Sequence, residues 1–113
     1  MLVCDSDVAK RNERLDLPMN KLHNESTDLL FKAILTLESV DECYAFFEDI
    51  CTIKEIQSIA QRVKVAQMLT EGCVYSDIVK KTGASTATIS RVNRSLNYGN
   101  DAYRTAFDRI ENE

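Results

Sequence analysis

The sequence predicts an all-α fold of about six helices built around a helix-turn-helix. Three observations carry that expectation. Apolar residues recur at helical spacing from Thr27 to Ile110, and neither proline nor low-complexity sequence interrupts that span. Helix starts are marked chemically by Ser and Thr followed three residues later by Glu. The stretch Tyr75 to Leu96, YSDIVKKTGASTATISRVNRSL, reads as two short helices meeting at a glycine.

Residues 1–24 carry Pro18 and mixed charge without sustained periodicity, and are expected to form a flexible N-terminal tail ahead of one domain over 25–113. Met19 could serve as an alternative translation start, because organised sequence begins only after it. The first confident helix is expected at Thr27–Leu37, capped by Ser26 or Thr27, with Leu30, Ala33, Ile34 and Leu37 as its stripe. Ser39 and Glu42 form a capping-box pattern for a second helix, whose stripe is Val40, Cys43, Tyr44, Phe47 and Ile50.

Thr52 and Glu55 repeat the device and start a longer helix that ends near Gly72. That helix is apolar over a broad arc: Ile53, Ile56, Ile59, Ala60, Val63, Ala66 and Leu69 form one stripe, with Val65 and Met68 beside it. Either a partner subunit covers this surface or the helix runs through the middle of a single domain. Asn97–Asn100 reads as a turn, with Asn100 capping a last helix from Asp101 to about Ile110.

Within the glycine-centred stretch, Gly83 can take the positive φ that a tight inter-helix turn requires. Ile78, Val79 and Thr82 before it, and Ala84, Ile89 and Val92 after it, supply inward positions. Ser85 suits the N-cap of the second helix. Thr86, Ala87, Ser90, Arg91 and Arg94 then face outward, where small side chains allow close approach to base edges and hydroxyls and arginines can hydrogen-bond to bases and phosphates. Ser85, Lys80 and Lys81 add phosphate contacts. An ordinary helical hairpin with solvated lysines is the bland alternative.

The chain has 113 residues and a net charge of −4. Its distribution is more telling. Glu25–Glu55 holds eight acids and two bases, a net of −6, whereas Tyr75–Leu96 holds four bases and one acid, a net of +3. Positive charge is therefore concentrated on the proposed reading element. No apolar run reaches membrane-spanning length and the first residues lack an apolar signal core, so a cytoplasmic protein is expected. The four cysteines are widely spaced, which points to reduced thiols, with Cys43, Cys51 and Cys73 as small buried hydrophobes. With one histidine, His23, and no C-x-x-C pair, neither a metal site nor an enzyme is expected. Glu48 and Asp49 read as solvated helix-surface carboxylates rather than an acid-base pair.

GASTATISRVNRSL, preceded by a long helix carrying QRVKVAQMLTEG, resembles the Trp repressor superfamily, most closely its YerC/YecD-type branch. The likeness covers roughly Thr27 to Ile110. It implies an intertwined homodimer in which the N-terminal helices of both chains share one core. It also implies a sequence-specific transcription regulator, a repressor, reading the major groove of a palindromic double-stranded DNA operator with residues 85–96. The family's co-repressor pocket carries over by motif to Arg62, Thr88, Arg91, Val92 and Ser95. Val92 stands where the tryptophan-responsive repressor has glycine, and a β-branched side chain there takes space an indole ring needs. The Gly72 to Gly83 segment is also one residue shorter. No resident cofactor is expected, and any small-molecule co-repressor is expected to differ from tryptophan. The alternative is a helical protein-interaction module that uses its acidic half for contact and reads no DNA sequence.

Overall fold

The computed structural model describes residues 22–113; most of the tail expected over residues 1–24, including Met19, lies outside the described residues. Six helices follow one another: α1 (Glu25–Ile34), α2 (Val40–Ile50), α3 (Ile53–Thr70), α4 (Tyr75–Thr82), α5 (Thr86–Tyr98) and α6 (Ala102–Glu111), with no strand among the described residues. The chain divides into two compact units, the first ending at Phe47 and the second spanning Glu48–Glu113. The division falls inside the stretch that reads as one domain in the sequence.

In the first unit, α1 begins earlier than its sequence suggests. Asn24, not Ser26 or Thr27, is the cap, and its side chain accepts from the Thr27 amide at 2.9 Å. The helix also stops at Ile34, because the amides of Thr36 and Leu37 bond three residues back and tighten the last turn. Ser39 caps α2 through the Glu42 amide at 3.1 Å, while the Glu42 carboxylate reaches past it to the Glu38 amide at 3.4 Å. Phe46 and Phe47 meet edge to face, 5.6 Å between centroids. Neither helix has a fully buried residue, and Leu29, Phe31 and Tyr44 are all more than half exposed.

The second unit owns the core. Val65 and Ala66 of α3, Ile78 of α4, Ala84, and Ile89, Val92 and Leu96 of α5 are buried together. Met68, Leu69 and Cys73 pack against them, as do Tyr103 and Phe107 of α6, whose rings stack 6.3 Å apart. Of the stripe expected on α3, Ala66 is buried and Leu69 packs against the core, but Ile53, Ile59 and Val63 are exposed, and Val65, expected beside the stripe, shares the burial with Ala66. The cause is tertiary: α4, α5 and α6 pack on the Val65 and Ala66 side. What stays open is a groove of about 510 Å³ between α3 and α6, floored by Ala60, Val63, Phe107 and Ile110.

Terminal chemistry fixes the length of α3. At its start Thr52 and Glu55 form a complete capping box, the Thr52 hydroxyl accepting from the Glu55 amide at 3.1 Å and the Glu55 carboxylate accepting from the Thr52 amide at 2.7 Å. At its end Gly72 turns left-handed with φ 85°, and the amides of Gly72 and Cys73 bond the carbonyls of Leu69 and Met68.

Two further expectations change. Cys43 is exposed, and Cys51 and Cys73 are only half-buried; all three are free thiols. The cap of α6 is Asp101 rather than Asn100, held left-handed at φ 65°, a region Asp tolerates better than most residues. Replacing Thr52 with Ala removes one half of the box and should lower unfolding stability by about 1 kcal/mol. A fall in the denaturant midpoint at unchanged slope would register it.

Candidate nucleic-acid interface

The turn between α4 and α5 is made by local chemistry. Gly83 adopts φ 72°, and its amide closes α4 on the Val79 carbonyl at 2.8 Å. Thr82 serves both sides of the turn: its hydroxyl donates to the Ile78 carbonyl at 2.7 Å and accepts from the Ala84 amide at 3.1 Å. Ala84 is buried, so the chain dips into the core before α5 starts. Ser85 then caps α5, accepting from the Thr88 amide and donating to the Thr88 hydroxyl, both at 3.1 Å.

Every third or fourth residue of α5 goes inward. Ile89, Val92 and Leu96 form that buried line and lock the rotation of the helix about its axis. Thr86, Ala87, Ser90, Arg91 and Arg94 consequently stand exposed on the opposite face, and Lys80, Lys81 and Ser85 are exposed beside them. Each residue expected to touch DNA is therefore solvent-facing. The first turn of α5 carries no acid, which leaves the positive end of its backbone dipole uncompensated. The Ser85 hydroxyl is already engaged by Thr88, so its use on a phosphate requires giving up the bond it donates.

The residues assigned to an effector pocket divide. Arg62 on α3 and Thr88 on α5 are half-buried, whereas Arg91 and Ser95 are exposed. Val92 is a core residue at 2% exposure, committed to the same buried line as Ile89 and Leu96.

Two polar contacts at this site have no signature in the sequence. Gln61 of α3 donates from Nε2 to the Thr82 carbonyl at 3.1 Å, across 21 residues. Arg104 of α6 donates from Nη1 to the Leu96 carbonyl at 2.6 Å and also pairs with Asp101 at 3.3 Å. Both depend on which helices pack together, so no local pattern announces them.

A capped helix presented outward after a left-handed glycine, with its back buried on a long scaffold helix, defines a helix-turn-helix protein. Residues 25–111 match the family described as Trp repressor protein. The chain belongs to the Trp repressor family. It is 58% identical over 95 residues to a Bacillus subtilis (strain 168) protein, YerC, which is described as uncharacterized, covering 84% of this chain and 91% of that one. The crystal structure of a TrpR-like protein from Eubacterium eligens ATCC 27750 superposes with a TM-score of 0.79 at 61% identity, covering 81% of this chain and 95% of its own. A protein from Staphylococcus aureus described as a candidate Trp repressor gives a TM-score of 0.80 at 53% identity, with 87% and 98% covered. Membership in this family implies a DNA-binding regulator rather than an enzyme.

A Cβ at Gly83 would meet no heavy atom within 4 Å, so its requirement for glycine is conformational rather than steric. Gly83→Ala should cost on the order of 1–2 kcal/mol through the left-handed backbone alone. Equilibrium unfolding of the variant checks this, and no loss would show that the turn takes another conformation in solution.

Proposed function

We propose that the protein is a dimeric, sequence-specific transcriptional repressor that reads the major groove with α5. The exposed row Thr86, Ala87, Ser90, Arg91 and Arg94, on a helix whose opposite face is buried, supports this reading. Thr86, Ala87 and Ser90 approach base edges. Lys80, Lys81, Ser85, Arg91 and Arg94 hold phosphates, and the two arginines can also reach bases.

The homodimer is supported by surface that one chain leaves uncovered. Ile53, Ile59 and Val63 lie bare on α3, the adjoining groove is floored by apolar side chains, and α1 and α2 expose Leu29, Phe31 and Tyr44. A second copy supplies a matching apolar face. Two-fold symmetry then places the two reading helices about 34 Å apart on a palindromic operator, the spacing general to helix-turn-helix dimers. No helix among the described residues is long and apolar enough to cross a membrane, and a DNA partner places the protein in the cytoplasm.

Tryptophan is not its co-repressor on this reading. Val92 stands where the tryptophan-responsive repressor has glycine, and as a core residue held by packing it cannot swing aside to admit an indole ring. Either no effector is required, or a smaller ligand meets Arg62 and Thr88. Calorimetry should detect no micromolar tryptophan binding; a micromolar isotherm would reverse this conclusion.

Selection of genomic fragments near physiological salt, against excess random duplex, should enrich a palindromic site, and an Arg91→Ala, Arg94→Ala variant should lose it. On that site, Lys80→Ala with Lys81→Ala should flatten the salt dependence by roughly 0.9 in log–log slope for each phosphate contact removed. A folded dimer that enriches nothing, with or without a cell metabolite extract, would favour a protein-interaction module instead.

A further inference from the structure

Each helix of the turn motif ends in carbonyls that its own ladder cannot satisfy. At the end of α4, the Thr82 carbonyl accepts from Gln61 of α3 in a half-buried setting. Near the end of α5, the Leu96 carbonyl accepts from Arg104 of α6, likewise half-buried, and Asp101 steadies the guanidinium from the side. Neither donor belongs to the motif. Both come from helices that flank it, and one acts at the hinge before Gly83 while the other acts at the far end of the reading helix.

The buried line of Ile89, Val92 and Leu96 restricts rotation of α5, but apolar packing is weakly directional and tolerates small tilts and slides. Hydrogen bonds at both ends oppose those motions because their geometry weakens steeply off-line. We propose that Gln61 and Arg104 are positioning residues that clamp the reading head to its scaffold and so set sequence discrimination; this rests on the DNA-reading function proposed above. Base-edge hydrogen bonds demand fixed insertion and tilt, whereas phosphate contacts from flexible lysines do not. Loosening the clamps should therefore degrade specific binding far more than non-specific binding.

The test uses the full chain with Gln61→Met and Arg104→Met, which keep side-chain bulk and remove the donors, and Arg104→Lys, which keeps charge and a donor. Amide hydrogen exchange and the affinity ratio between the selected site and random duplex are read at one salt, well below the unfolding temperature. Gln61→Met should raise exchange at Gly83 and Ala84, and Arg104→Met at Gly99, each by about tenfold, the scale of one net hydrogen bond. The Leu69 amide on α3 should not change. The discrimination ratio should fall by about tenfold in both Met variants, and Arg104→Lys should recover most of it. Exchange that rises uniformly, or nowhere, would overturn the clamps; local loosening with an unchanged ratio would overturn their role in discrimination. Wild-type protein that selects no site would overturn the DNA-reading function itself, while the exchange arm, which needs no DNA, would still judge the clamps.

Discussion

Val65 and Ala66, both fully buried in the C-terminal half of α3, are the surface on which the helix-turn-helix is built. Ala66 is small enough to let neighbouring helices approach closely, and Ile78, Ile89 and Val92 fill the space around it. Once those three are seated, the outward face of α5 has no freedom left in its composition. The same contact that stabilises the unit therefore displays Thr86, Ser90, Arg91 and Arg94. Gly83 makes the arrangement reachable, since α4 and α5 can both pack on one helix only if the chain between them reverses within a few residues.

That economy has a cost in coverage. The second unit satisfies one face of α3 and leaves Ile53, Ile59 and Val63 in solvent, while the first unit has no fully buried residue in either helix. With so few buried side chains among the described residues, the fold is poorly placed to offset its conformational entropy alone. The proposed homodimer answers this directly, because a second copy carries the same apolar surplus. On this view, dimerisation and operator symmetry have a common physical origin in the uncovered half of α3.

Charge and polarity follow the same division. The acidic stretch Glu25–Glu55 and the basic stretch Tyr75–Leu96 are separate in sequence, so a net-negative protein can still carry a net-positive helix-turn-helix. Within that motif, polar side chains divide. Thr82 and Ser85 shape the turn through their hydroxyls, whereas Arg91 and Arg94 stand exposed and take no part in it.

Much of this was legible from residues alone, wherever the deciding interaction spans four residues or fewer. The Thr52 and Glu55 box, the Ser85 cap, Gly72 and Gly83 as helix terminators, and the inward positions Ile78, Ala84, Ile89 and Val92 are of that kind, as is the outward row between them; Val79, also expected inward, is exposed. Even local chemistry misled where two candidates competed, as Asn24 did with Ser26 and Asp101 with Asn100. Only the tertiary structure decided which side of α3 enters the core, that Cys43 is exposed, and that Gln61 and Arg104 reach the carbonyls of Thr82 and Leu96. Those outcomes depend on which helices come together, and packing of distant segments leaves no trace in a short window of sequence.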